Sequence, residues 1–157
     1  MTSTLPDLTK RDLYRHWAEV TIRYADLDPN NHVNNGAINQ FFEDGRVSLR
    51  QEHMDNLPAA ALTGFVLVKF TATYRSTLHY PGTVEVGTLV TRIGRTSYEL
   101  GQAIFQGDSC AATAEVVTVH LDRDRGRSSP LPDPVRKILE SLLVPANEKI
   151  PSRQEQS

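Results

Sequence analysis

The feature that most limits what this chain can fold into is a single long helical pattern set among strands. Ile38, Phe41, Phe42, Gly45 and Leu49 recur at spacings of three and four, with Asn39, Gln40, Glu43, Asp44 and Arg46 between them. That spacing predicts one amphipathic helix from about Ala37 to Met54, with Asn34 or Asn35 as its N-cap. Gly45 costs about 1 kcal/mol relative to Ala inside a helix, so it predicts a close approach to something flat, such as a sheet.

Before the helix, Ala18, Val20, Ile22 and Tyr24 alternate with Glu19, Thr21 and Arg23, a period of two that predicts a strand from Trp17 to Tyr24 with one buried face. A loop of turn-formers, Asp26 to Asn35, leads into the helix. After it come four strand patterns: Phe65 to Tyr74, Thr83 to Ile93, Ser97 to Gln106 and Ala111 to Asp122. The turns Gly94-Arg95-Thr96 and Gly107-Asp108-Ser109 make the last three antiparallel neighbours. A short closing helix carrying Val135, Ile138, Leu139, Leu142 and Leu143 follows Asp133-Pro134, with Asp as cap and Pro in the first turn. One helix cannot cover both faces of a five-stranded sheet. The rest of the sheet is left to a partner.

At 157 residues the chain reads as a single domain, with a core over about 15–144 and loosely held ends at 1–14 and 145–157. A net charge of −2 excludes a global field for nucleic acid or an anionic membrane, so any polyanion contact is local. No stretch reaches the roughly 20 apolar residues of a membrane span, and the first twelve residues lack the apolar core of a secretory signal. The lone Cys110 allows no internal disulfide, and its expected role is structural. The simplest setting is reducing and cytoplasmic. His53, His79 and His120 make no metal-spaced set, so neither a metal nor a resident cofactor is expected.

The run from Arg23 to Asn35 (Arg-Tyr-Ala-Asp-Leu-Asp-Pro-Asn-Asn-His-Val-Asn-Asn), followed by Phe41-Phe42-Glu43-Asp44-Gly45-Arg46, resembles the start of a hotdog-fold acyl-CoA thioesterase of the 4-hydroxybenzoyl-CoA thioesterase type. The likeness extends over roughly residues 17–143. It implies an α+β hotdog fold, in which a five-stranded antiparallel sheet wraps around one long central helix. It also implies a homodimer or dimer of dimers (a homotetramer) with active sites at the dimer interface. By position in the Asp-x-Asp pair, Asp28 corresponds to the family's catalytic carboxylate. Pro29-Asn30-Asn31 and Asn35 stand where many members carry a Gly-containing pair and a His or Tyr, which leaves the acyl group open.

The residues point to the same place. Thioester hydrolysis needs a base or nucleophile near the carbonyl carbon and donors aimed at the carbonyl oxygen. A helix N-terminus offers such donors, and the N–H groups of Asn35, Gly36 and Ala37 are the candidates, with Gly36 permitting close approach. Asp28, just upstream, acts either by activating water or by attacking the acyl carbon directly. His32 is the competing base, or a substrate-positioning loop residue. Asp26 reads as structural, and Glu43 as an i,i+3 ion-pair partner of Arg46. Phe41, Phe42, Val66 and Leu67 read as core in preference to acyl pocket.

A CoA thioester carries phosphates, for which Arg92 and Arg95 at one hairpin turn, and Arg123, Arg125 and Arg127 after the last strand, are the candidate partners. The expected activity is hydrolysis of an acyl-CoA to a free acid and CoA. The alternatives are hydrolysis of an acyl-acyl-carrier-protein and non-catalytic binding of an acyl thioester.

Overall fold

The computed structural model describes residues 5–144. Its elements in chain order are β1 (His16–Thr21), α1 (Asn35–Met54), β2 (Phe65–Tyr74), β3 (Thr83–Ile93), β4 (Ser97–Gln106), β5 (Ser109–Asp122), the two-residue β6 (Arg127–Ser128) and α2 (Asp133–Leu142). The five long strands form one antiparallel sheet in the order β1-β3-β4-β5-β2, and β6 adds a short pairing to the end of β5. With α1 lying along one face, this is the hotdog arrangement.

The strand and helix periods place most boundaries within two residues. Strand β1 is the exception. It ends at Thr21, because the Asp26 carboxylate captures the Arg23 N–H (2.7 Å) and folds residues 24–26 into a 3₁₀ turn. Tyr24 therefore lies 77% exposed instead of facing the core. At α2 the N-cap position belongs to Pro132, and Asp133 is the first helical residue, where its charge meets the positive helix end.

Gly45 makes the close approach its cost implies. A Cβ there would lie 2.6 Å from Val86 Cγ1 and 3.0 Å from Gln102 Nε2. Beside it sits a buried polar node: Gln102 Nε2 donates to the Phe42 carbonyl (2.9 Å) and to Thr88 Oγ1 (3.0 Å), while Gln102 Oε1 accepts from Arg46 (3.1 Å). A fully buried amide needs all its partners, and this demand turns Arg46 inward. The expected Glu43–Arg46 ion pair does not form among the described residues. Phe41 and Phe42 fill the core under the helix, whereas Val66 and Leu67 do not: they stand exposed on β2.

The opposite face of the sheet is partly covered by residues that composition alone marks as a loose end. Leu8 and Tyr14 are buried with Leu89, Ala103 and Phe105, and the Tyr14 hydroxyl donates to the Leu8 carbonyl (2.7 Å). Gly87 and Gly101 make this possible: a Cβ at either would lie within 2.6 Å of Tyr14 or Leu8. The other expected loose end, 145–157, lies outside the described residues, as do the first four residues.

Among the described residues, the outer edge of β2 has no strand partner. Its ten residues include the exposed Val66, Leu67, Val68 and Tyr74, with a register shift between Leu67 and Lys69.

Candidate active site

Asp26 closes the 3₁₀ turn after β1 and Asp28 follows it by two residues, and the two acids have separate tasks. Asp26 is 3% exposed. Its Oδ2 accepts from the Arg23 N–H and its Oδ1 from Arg23 Nη2 (2.8 Å), and its carbonyl accepts from Asn34 N (2.8 Å). Burial alone would raise its pKa, but the hydrogen bonds and charge of Arg23 outweigh it and hold the carboxyl below its ordinary value. Asp26 thus shapes the loop.

Asp28 opens toward solvent. Its Oδ1 accepts from Asn30 N (2.9 Å) and His32 N (3.1 Å), while its own N–H donates to the His32 carbonyl (2.8 Å). Asn31 takes a left-handed φ of 61°, which closes this small loop under the carboxylate. Among the described residues, no donor occupies Oδ2. The His32 side chain is exposed and has no partner among the described residues, so His32 enters the site through its backbone.

The helix start is equally specific. Asn34 is the N-cap: its side chain accepts from Gly36 N (2.7 Å), and its carbonyl accepts from Ile38 N (3.0 Å). The Gly36 N–H is thereby taken. The N–H groups of Asn35 and Ala37 have no acceptor among the described residues, as the first turn of a helix requires. A carboxylate with one free oxygen and a helix N-terminus with two free donors therefore lie within about ten residues of one another in sequence.

The arginines lie elsewhere. Asp28 follows the end of β1, where Thr21 pairs with Thr83 at the start of β3. Arg92 stands at the far end of β3, nine residues on, or roughly 30 Å at about 3.4 Å per residue. Arg95 and Arg125 share that far end, since Leu131 N donates to the Arg95 carbonyl (3.0 Å) and residues 123–127 follow the end of β5. Arg92 pairs with Glu99 (3.4 Å) and Arg125 with Asp122 (3.8 Å), and both arginines are exposed. Within one chain, Asp28 and these arginines do not meet.

Cys110 is half-buried, with its thiol pKa raised by burial, which suits a structural residue. The structure assembles a cluster that sequence spacing misses. His16 from β1 meets Glu52 and His53 from α1, with their ligating atoms all within 4.8 Å of one another. His53 thus joins His16 and Glu52, not His79 or His120.

Comparison with known proteins decides the class. A family model described as thioesterase-like superfamily matches residues 22–139. The chain belongs to this superfamily. It is a thioester hydrolase by class. A predicted thioesterase from Bacillus stearothermophilus is similar at 28% identity, covering 81% of this chain and 95% of that one, with a TM-score of 0.73. A thioesterase from Thermus thermophilus, in a structure with coenzyme A and Zn, is 26% identical over 82% of this chain and 94% of that one, with a TM-score of 0.72. A 1,4-dihydroxy-2-naphthoyl-CoA thioesterase from Synechocystis shares the fold at 19% identity, over 81% of this chain and 96% of that one, with a TM-score of 0.73. No curated protein sequence matches the chain significantly.

Proposed function

We propose that this thioester hydrolase cleaves an acyl-CoA to a free carboxylic acid and CoA, with Asp28 as base or nucleophile and the start of α1 as the oxyanion site. The observations that carry this reading are the Asp28 carboxylate, held through Oδ1 with Oδ2 free, and, a few residues on in the same loop-to-helix segment, the N–H groups of Asn35 and Ala37, unpaired among the described residues. Negative charge on the thioester oxygen develops only as the carbonyl is attacked, so donors fixed beforehand at a helix end stabilise the transition state more than the substrate. The Gly36 N–H is spent on the cap, so Gly36 contributes by having no side chain to block the approach. The likeness to the 4-hydroxybenzoyl-CoA thioesterase type supports the same assignment. So does the coenzyme A in the Thermus thermophilus neighbour's structure.

The distance from Asp28 to the arginines supports a homodimer. A two-fold axis beside β2 sets this strand antiparallel to its copy, so the partner's far end lies against this chain's Asp28 end. The partner's Arg92, Arg95 and Arg125 then reach the phosphates of a CoA whose thioester sits at Asp28. The exposed Val66, Leu67 and Val68 on a ten-residue edge that is unpaired among the described residues are the surface such a pairing covers.

A thiol-release assay over a panel of aliphatic and aromatic acyl-CoAs tests the activity. The expected result is turnover of at least one member, with free CoA and acid in equal amounts. Binding of acyl-CoA without release of thiol from any member would refute it.

A further inference from the structure

Away from Asp28, a cavity of about 360 Å³ opens between the start of β1, the last turns of α1 and the end of α2. Its walls are mostly apolar, from Leu13, Leu49, Leu89 and Leu142, but one end carries His16, Glu52 and His53. His16 is 6% exposed, and its Nδ1 lies 2.5 Å from Glu52 Oε2. His53 Nε2 lies 3.0 Å from the same oxygen. Two imidazoles from different elements thus converge on one carboxylate oxygen.

We propose that His16 Nδ1, Glu52 Oε2 and His53 Nε2 form a binding site for a divalent transition metal, Zn²⁺ above all, with its fourth position open to this cavity. Two imidazole nitrogens and one carboxylate oxygen are a donor set that suits Zn²⁺, and three protein ligands with one open position is the pattern of a reactive rather than a structural zinc site. The second shell is already present. Ser48 Oγ lies 3.2 Å from His16 Nε2, so it can accept that N–H and leave Nδ1 free to ligate. Metal bonds of about 2.0–2.1 Å in a tetrahedron separate the ligand atoms by about 3.3 Å. Glu52 therefore has to retreat by less than about 1 Å, which its 59% exposed side chain allows, and the two imidazole nitrogens, within 4.8 Å of one another, reach that spacing by a movement of the partly exposed His53. Arg15 also lines the cavity, so the open position suits water, hydroxide or a carboxylate.

The same groups also spell a Ser48–His16–Glu52 hydrogen-bonded chain. As a nucleophilic triad this lacks an oxyanion site, because Ser48 lies well inside α1, where backbone N–H groups are already bonded.

The test uses the full, tag-free chain stripped with EDTA, titrated with ZnCl₂ by calorimetry and with Co²⁺ by visible absorption. The expected result is one metal per chain, an intense tetrahedral Co²⁺ band, and a Tm rise of roughly 5–10 °C at metal concentrations about 100-fold above Kd. Glu52→Gln and His53→Gln, both at accessible side chains that do not hold the core, should each weaken binding by at least about tenfold. His79→Gln should leave it unchanged. No saturable binding, or binding that survives in both Glu52→Gln and His53→Gln, would overturn the site.

Discussion

Replacing Asp28 by Asn separates what its carboxylate does for the loop from what it does for the reaction. In the structure Oδ1 holds two backbone N–H groups, from Asn30 and His32, and an Asn carbonyl in the same place accepts both. Hydrogen bonds to a charged acceptor contribute about 1.5–3 kcal/mol and those to a neutral one about 0.5–1.5. With Asp28 only half-buried, the stability lost on neutralisation is therefore about 1 kcal/mol, or roughly 2–4 °C in Tm for a domain of this size. Asp28→Ala loses both bonds and should fall further. The chemical effect is different in scale. An amide neither takes a proton from water nor attacks the acyl carbon, so kcat should drop at least about 100-fold, equivalent to about 2.7 kcal/mol of transition-state stabilisation. The two effects are read separately, by thermal unfolding and by thiol release under saturating acyl-CoA. Activity of Asp28→Asn within about threefold of the parent protein would refute the assignment. A Tm loss in Asp28→Asn as large as in Asp28→Ala would show instead that the loop had collapsed.

Gly45→Ala adds a Cβ 2.6 Å from Val86 Cγ1, so overpacking of about 1–3 kcal/mol should outweigh the roughly 1 kcal/mol gain in helix propensity; urea unfolding should show a net loss, and a neutral or stabilised variant would mean that α1 sits further from the sheet. Arg23 holds the Asp26 pKa below 3.8, so the unfolded chain binds this proton first as pH falls, and the contribution of Asp26 is complete above that value and lost as pH drops through the lower folded value. Stability measured against pH should lose that segment in Asp26→Asn, and an unchanged acid limb would show that the Arg23 contact is not felt. Arg95→Ala should raise KM for acyl-CoA severalfold while sparing a truncated pantetheine-like thioester that lacks the nucleotide phosphates; an equal effect on both would remove Arg95 from the CoA site.

How far the sequence could be read depended on whether the relevant forces act along the chain or across it. Helix α1 is legible because a period of three to four marks a half-buried helix, with Gly45 announcing a sheet beside it, and strands β2 to β4 are legible as strand-forming runs bounded by turn residues. The end of β1 is not legible from period, because a carboxylate two residues on overrides the alternation at Tyr24. The segment holding Leu8 and Tyr14 looks loose because its composition is polar, and only the shelves left by Gly87 and Gly101, distant in sequence, give those two side chains a place. The same limit hid the convergence of His16 on Glu52 and His53, which needs β1 laid across α1.

The candidate site divides along the same line. Asp28, Asn34 and Asn35 are neighbours in sequence, so their arrangement follows from a turn and a helix cap. The arginines are remote, and β3 fixes their place: one rigid strand of eleven residues separates the Asp28 end of the sheet from the Arg92 end. No loop movement of a few ångströms closes a gap of roughly 30 Å. A CoA anchored by those arginines and cleaved at Asp28 must therefore bridge two chains, and the antiparallel order of a two-fold pair is the simplest arrangement that turns opposite ends into neighbours. A monomeric variant made by Val68→Lys on the open β2 edge should accordingly lose acyl-CoA hydrolysis together with the dimer. Full activity in a monomer, established by sedimentation at assay concentration, would place the phosphate contacts within one chain and remove Arg92, Arg95 and Arg125 from the site.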